Sequence, residues 1–150
     1  EFVTSQFPLK RIMSFKKITV TALISADKKK AWDYYTLPEH IVNWNFASDQ
    51  WHCPRATNDL VVGGKYYTRM EAKFGEFGFD FGGTYTEVIP DEGFTYLLAD
   101  EREVKVSFIE KADHTLVQVV FDAESENTLK LQTQGWQTIL DQYKKYTEAN

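Results

Sequence analysis

The feature that most constrains the fold is a change in hydrophobic period towards the end of the chain. Between residues 15 and 121, apolar side chains alternate with polar ones in short segments, a pattern typical of half-buried strands. Between residues 126 and 147 they recur at helical spacing instead, which predicts one amphipathic helix of about twenty residues, about 30 Å long. A helix of that length can cross an entire small sheet.

The other predicted elements are short. The first strand covers residues 15–24, and Ser25 or Asp27 can cap a helix that ends before Pro38. Pro38 can in turn begin a second short helix. After a loose connection at 46–54, six more strands are predicted at residues 55–58, 65–74, 78–89, 94–99, 103–109 and 115–121.

Helices segregated to one side of an antiparallel sheet predict an α+β domain. We expect a curved sheet of about seven strands wrapped on the long C-terminal helix, with two short helices after the first strand and space between sheet and helix. Residues 13–150 are expected to form this single domain, because no linker or repeat divides them. Residues 1–12 are interpreted as a cloning remnant or a disordered tail, since Met13 reads like a natural start.

Charge and composition argue against several classes of function. The chain carries 17 Lys plus Arg against 22 Asp plus Glu, and its basic residues are scattered, so nucleic acid is not an expected partner. No apolar stretch approaches the roughly 20 residues of a membrane span, and we expect a cytoplasmic protein. Cys53 is the only cysteine, and the three histidines lack metal-ligand spacing, so neither a metal nor a cofactor is expected. Motifs of ordinary hydrolases, kinases and dehydrogenases do not occur in the sequence.

Five short motifs carry a family resemblance, and they are Trp51-His52-Cys53-Pro54, Gly63-Gly64-Lys65-Tyr66, Phe79-Asp80-Phe81, Gly83-Thr84-Tyr85-Thr86-Glu87-Val88 and Gly135-Trp136. Together they resemble the activator of heat-shock protein 90 ATPase homologue-like family, a branch of the START-like (SRPBCC, birch-pollen-allergen-like) helix-grip superfamily. The resemblance extends over residues 15–146 and implies a deep hydrophobic cavity between the sheet and the long helix. Members include lipid and polyketide binders, cyclases, self-sacrificing resistance proteins and co-chaperone domains, so function must be argued from the site.

The aromatic content is the strongest compositional signal for a binding site. Eleven Phe, eight Tyr and four Trp exceed what a core of this size requires, and small-molecule sites are lined by apolar side chains with a few polar groups. The same side chains would equally form a filled core. The residues expected to bind a ligand are Tyr66, Thr68, Met70, Phe79, Phe81, Tyr85, Tyr96, Trp136 and Leu140, with Trp44 and Trp51 at the mouth.

Three functional hypotheses follow. The first is a non-enzymatic domain that binds an apolar or aromatic small molecule between the sheet and the C-terminal helix. The second is a co-chaperone-like or stress-response module that binds a protein partner through an exposed apolar face. The third is a cyclase- or hydrolase-type enzyme that uses the cavity as a template and needs a polar group inside it.

Asp80 is the one catalytic candidate. If Phe79 and Phe81 face inward, Asp80 faces solvent, because neighbours in a strand point to opposite sides. A bulge at Gly82-Gly83 would shift the register and bring the carboxyl group inside, where burial raises the pKa of an acid and suits it to acid–base chemistry.

Overall fold

Seven strands and three helices make up residues 15–150, the part of the chain that the computed structural model describes. The interpretation of residues 1–12 lies outside that part. In chain order the elements are β1 (Lys17–Ile24), α1 (Lys28–Thr36), α2 (Pro38–Ile41), β2 (Trp51–Asn58), β3 (Lys65–Ala72), β4 (Gly78–Ile89), β5 (Gly93–Leu97), β6 (Glu103–Lys111), β7 (His114–Asp122) and α3 (Leu129–Ala149).

The strands form one curled antiparallel sheet in the order β1-β7-β6-β5-β4-β3-β2. Consecutive strands are neighbours except for β1, which pairs with β7 and so forms one edge of the sheet, while β2 forms the other. The long helix α3 packs on this sheet, and the two short helices follow β1. The predicted α+β helix-grip fold is therefore confirmed.

Local signals explain where the helices begin. Asp27 is the N-cap of α1, and its carboxylate accepts a hydrogen bond from a backbone N–H of the first turn (2.8 Å). Pro38 occupies the first turn of α2, where its missing N–H costs nothing. The helix α3 begins at Leu129, three residues later than predicted, because the Thr128 hydroxyl caps it there (3.1 Å).

The strand β2 is longer than the sequence pattern predicts. It begins at Trp51, within the segment expected to be a loop. Its pairing with β3 is interrupted by a bulge between His52 and Arg55, and Pro54 inside this bulge has no N–H to donate. The bulge breaks the period-two alternation, and so the first half of the strand carries no readable pattern.

Two glycines in β4 allow neighbouring strands to approach closely. A Cβ on Gly82 would lie 2.0 Å from the carbonyl oxygen of Tyr66. A Cβ on Gly83 would lie 2.5 Å from the carbonyl oxygen of Leu97, so neither position has room for a side chain. The register with β3 stays continuous past both glycines, and the bulge in β4 comes later, after Tyr85 and opposite β5.

The helix α3 is anchored to the β1 edge of the sheet. Gln137 Nε2 donates to the carbonyl oxygen of Thr21 (3.0 Å). Lys144 Nζ donates to the carbonyl oxygen of Leu23 (2.7 Å). Side chains of the helix thus cover backbone groups of an edge strand, which would otherwise invite pairing with another chain.

The core behind that edge joins α3 to α1. Tyr143 is completely buried, and the centroid of its ring lies 4.9 Å from that of Tyr35 and 5.2 Å from that of Trp44. Its hydroxyl donates to the carbonyl oxygen of Ala31 (2.6 Å). The buried hydroxyl is therefore satisfied, as a polar group in a core must be.

Alanine at two different glycines should change stability in opposite directions. Gly82→Ala brings a Cβ to 2.0 Å from a β3 carbonyl oxygen, so we expect the free energy of unfolding to fall by about 2 kcal/mol or more as the strands separate. Gly135→Ala in α3, where no atom lies within 4 Å of the new Cβ, is the control and should raise it by about 0.5–1 kcal/mol. Urea unfolding followed by circular dichroism measures both. Unchanged stability in Gly82→Ala would contradict the close approach of the strands.

Candidate functional site

A cavity of about 370 Å³ lies between α3 and the inner face of the sheet. Its lining is mostly aromatic and aliphatic and consists of Tyr35, Trp44, Asn45, Asn58, Tyr66, Met70, Phe79, Phe81, Tyr85, Phe94, Tyr96, Val119, Glu124, Trp136, Ile139 and Leu140. Small-molecule sites have this kind of lining, with volumes from about 300 Å³ upwards. The cavity is therefore the candidate functional site.

Strands β3, β4 and β5 form one wall of the cavity. Tyr66 and Met70 share the inner face of β3, and Met70 pairs with Phe79 of β4. Tyr85 of β4 pairs with Tyr96 of β5, and their rings meet edge to face with centroids 6.0 Å apart. The rings of Tyr66 and Tyr96 lie 5.3 Å apart. Strand alternation thus presents a continuous aromatic surface to the cavity.

The helix α3 forms the opposite wall. The Trp136 ring is stacked on that of Phe121, with centroids 4.1 Å apart and planes at 14°. It also meets Phe81 edge to face at 6.0 Å, so Trp136 links the helix to both β7 and β4. Ile139 and Leu140 complete this wall one turn further along the helix.

The segment between β1 and β2 closes a third side. Tyr35 lies in α1, and Trp44 and Asn45 follow α2. Trp44 is only 2% exposed, and its Nε1 donates to the carbonyl oxygen of Tyr34 (3.0 Å). Its indole is held in place by this hydrogen bond, so it is a fixed part of the wall.

The polar groups of the cavity are chiefly tyrosine hydroxyls. The Tyr85 hydroxyl donates to Asn58 Oδ1 (2.6 Å), and Asn58 Nδ2 donates to the carbonyl oxygen of Thr36 (2.8 Å). Burial raises the pKa of Tyr85 and of Tyr35 and Tyr96 above the ordinary value for tyrosine. All three hydroxyls are therefore neutral at physiological pH and able to donate hydrogen bonds.

Within the described part of the chain, Glu124 is the only charged residue that lines the cavity. Its carboxylate accepts hydrogen bonds from the backbone N–H groups of Glu126 and Asn127 and from Asn127 Nδ2. These hydrogen bonds, with that from Asn127 Nδ2 first, hold the pKa of Glu124 below its usual range. The carboxylate is therefore ionised and engaged by the loop that leads into α3.

Most of the side chains expected to bind a ligand do line the cavity, but two do not. Thr68 is completely buried, and its Oγ1 donates to the carbonyl oxygen of Phe81 (3.3 Å), so it belongs to the sheet. Trp51, expected at the mouth, is not among the residues that line the cavity. It lies at the β2 edge, where its ring meets those of Phe77 and Phe79 at 5.7 and 5.8 Å.

Sequence reasoning missed part of the lining, namely Tyr35, Asn45, Asn58, Phe94, Val119, Glu124 and Ile139. Two of these carried a usable signal. Phe94 alternates with Tyr96 in one strand, so both face the same side. Ile139 precedes Leu140 on the apolar side of the last helix. Of the others, Asn58 and Val119 lie in β2 and β7 of the sheet itself, whereas Tyr35, Asn45 and Glu124 come from α1 and from loops whose position over the sheet only the packing decides.

Asp80 does not enter the cavity, so the shifted register considered for it is wrong. The side chain is 63% exposed, and it accepts hydrogen bonds from the Tyr67 hydroxyl (2.8 Å) and from Arg69 (3.2 Å). These two hydrogen bonds lower the pKa of Asp80 rather than raising it. Pairing between β3 and β4 is regular throughout, and the bulge in β4 follows Tyr85, too late to turn Asp80 inward.

Residues 15–150 contain no arrangement of side chains that would support thiol or metal chemistry. Cys53 is buried, which raises the pKa of its thiol, and His52 lies nearest to Glu71 across the strand pair (3.9 Å). No three His, Cys, Asp or Glu side chains in this part cluster so as to hold a metal ion. None of the helices described is long and apolar enough to cross a membrane.

An exposed aromatic patch lies beside the cavity. We define it as Trp51, Phe74, Phe77 and Phe79, at the β2 edge and the β3–β4 hairpin. Phe74 is 83% exposed and Phe77 is 68% exposed. Phe79 also lines the cavity, so the patch is continuous with it.

Comparison with known proteins identifies the family. The model of the family "Activator of Hsp90 ATPase homolog 1-like protein" matches residues 25–148. The solution structure of the AHSA1-like protein from Aeromonas hydrophila is 42% identical in sequence, covers 89% of this chain and 93% of its own, and superposes with a TM-score of 0.84.

Two further solved structures extend the comparison. A protein from Cytophaga hutchinsonii is 43% identical over 89% of this chain and 93% of its own, with a TM-score of 0.77. A protein from Chromobacterium violaceum shares the fold at 20% identity, covering 89% of this chain and 98% of its own, with a TM-score of 0.78. A search of curated proteins gives no significant match. On the family model and the two closely similar structures, this chain belongs to the activator of Hsp90 ATPase homolog 1-like family.

Proposed function

We propose that this protein is a non-enzymatic binding domain that holds an apolar or aromatic small molecule between the sheet and α3. The observation that supports this most directly is the cavity of about 370 Å³, with aromatic side chains on the sheet, on α1 and on α3. Its volume lies within the range of known ligand pockets. Fold membership alone would not support the proposal, because the same fold carries many functions.

Burial of apolar surface would supply most of the affinity. Each Å² of apolar ligand surface removed from water contributes about 25 cal/mol, less the cost of ordering the ligand. The rings that line the cavity are already held by one another, as in the stack of Trp136 on Phe121. A site whose side chains are already ordered loses less conformational entropy when a ligand binds.

A second candidate function is a protein-interaction module of the co-chaperone or stress-response kind, which the exposed aromatic patch favours. Phe74 and Phe77 project from a hairpin and have no place in the core. Contiguous exposed apolar surface marks contact sites. The enzymatic alternative is weakened, because Asp80, the acid or base it required, lies outside the cavity.

Native mass spectrometry of the purified protein, beside the same sample denatured, tests the first candidate. We expect a native mass that exceeds the polypeptide by a few hundred daltons, as for a small molecule that fits a pocket of this size. Denaturation should release that mass and allow its chemistry to be identified. A stoichiometric protein partner in the native spectrum, with no small molecule, would favour the second candidate instead.

Replacing two tryptophans separates the cavity from the patch. The probe is N-phenyl-1-naphthylamine, an uncharged dye that fluoresces in apolar sites. Trp136→Ala removes a wall of the cavity and should weaken dye binding by about tenfold or more. Trp51→Ala removes a ring from the patch and should leave the Kd within about twofold.

Thermal unfolding of both variants provides the control for folding. Trp136→Ala should also lower the free energy of unfolding by about 2–4 kcal/mol, since the stack on Phe121 is lost. Dye binding that depends on Trp51 and not on Trp136, in folded variants, would place the binding site on the patch and refute the cavity.

A further inference from the structure

Three tyrosine hydroxyls in the cavity wall, those of Tyr35, Tyr66 and Tyr96, make no hydrogen bond to another group of residues 15–150. Tyr85 and Tyr143 both donate, to Asn58 Oδ1 and to the Ala31 carbonyl oxygen. The hydroxyls of Tyr35 and Tyr96 make no such bond, although Tyr96 is only 5% exposed. A hydroxyl with no partner in the chain can donate a hydrogen bond to water or to a bound molecule that reaches it.

The free hydroxyls are reachable from the cavity. Thr147 Oγ1 is the only side-chain nitrogen or oxygen in residues 15–150 that is sealed from solvent without a hydrogen-bond partner. The Tyr35 and Tyr96 hydroxyls are therefore not sealed, and both residues line the cavity. A molecule inside it is in a position to accept hydrogen bonds from them.

The other two tyrosines of the lining have a polar neighbour. Tyr66 lies next to the Thr68 hydroxyl, and Tyr85 donates to Asn58. Burial keeps Tyr35 and Tyr96 neutral, since it raises the pKa of each hydroxyl. Tyr35 and Tyr96 thus offer two neutral O–H donors in a largely apolar wall.

The charges around the cavity disfavour an ionised ligand of either sign. No Lys, Arg or His is among the lining residues in the described part of the chain, so a carboxylate buried against them would have no counter-ion. The one ionised group among the described lining residues, Glu124, repels an anion, and its oxygens already accept three hydrogen bonds from Glu126 and Asn127, which weakens any pairing with an ammonium group.

From these observations we infer that the cavity selects an uncharged, largely apolar or aromatic molecule carrying an oxygen that accepts hydrogen bonds from Tyr35 and Tyr96. A ketone, ester or similar carbonyl compound has this chemistry, whereas fatty acids and amines do not. The inference rests on the proposed function, because it names the ligand class of the same site.

Four probes with one ring system but different functional groups test it, and they are 2-acetylnaphthalene, 2-ethylnaphthalene, 2-naphthoate and 1-(2-naphthyl)ethylamine. Chemical-shift titrations of the full chain give each Kd. We expect 2-acetylnaphthalene to bind most tightly and both charged probes to bind at least about tenfold more weakly. The carboxylate probe meets no cation among the described lining residues, and the Glu124 carboxylate that could pair with the amine already accepts hydrogen bonds from its own loop.

Tyr→Phe variants assign the selectivity to the two hydroxyls. Tyr35→Phe and Tyr96→Phe should each weaken binding of 2-acetylnaphthalene by about three- to tenfold and leave binding of 2-ethylnaphthalene unchanged. Tyr67→Phe is the matched control, because its hydroxyl faces Asp80 on the other side of the sheet, and it should change neither Kd. The Tyr35 and Tyr96 hydroxyls make no hydrogen bond within the described residues, so both cavity variants should keep the Tm of the unaltered protein. The ranking of the four probes is measured on the unaltered protein and does not depend on whether a variant folds.

The outcomes separate this inference from the proposed function. If 2-ethylnaphthalene binds as tightly as the ketone and the Tyr→Phe variants leave both Kd values unchanged, the cavity binds apolar molecules without hydrogen bonds to an oxygen of the ligand. In that case only the inference fails. If a charged probe binds most tightly, the inference is also overturned. If none of the four binds, the inference and the proposed function fail together.

Discussion

The attachment of α3 to one edge of the sheet is the constraint on which the rest of the structure depends. Gln137 and Lys144 bind backbone carbonyls of β1, and Tyr143 joins the helix to α1 through the Ala31 carbonyl. Because β1 and β2 are the two edges of a curled sheet, a helix held at the β1 edge cannot pack equally closely on β3, β4 and β5. The cavity is the space that this arrangement leaves.

A cavity of this size forfeits packing energy, because the atoms that line it lack neighbours on one side. It does not collapse because its walls brace one another. Trp136 is stacked on Phe121, the rings of Tyr66 and Tyr96 are in contact, and Trp44 is tied to the backbone of α1. Large rings with few rotamers hold such an opening better than flexible side chains would. The lining thus combines structural support with a surface suited to aromatic ligands.

The sequence predicted the fold well and the site in part. The alternation in β4 predicted its bounds as the structure has them, and the helical period located α3 to within three residues at its start. Alternation within β3 and β5 likewise predicted that Tyr66, Met70 and Tyr96 lie on the inner face of the sheet. It failed at β2, where a bulge around Pro54 interrupts the period. The sequence pattern also did not reveal Tyr35 as part of the lining, because the sequence of a short helix does not indicate which strand it packs on.

The sequence by itself determined the element order and the faces of the strands, because both depend on local periodicity. It suggested a bulge at Gly82-Gly83, whereas the structure has a continuous register and a close approach of the strands there. Only the tertiary structure decided that the inward rings surround a cavity rather than fill a core. It also decided that the Tyr85 hydroxyl has a hydrogen-bond partner, while those of Tyr35 and Tyr96 have none within residues 15–150. Those properties depend on the distance between the helix and the sheet, and that distance results from packing between residues far apart in the chain, which no local pattern records.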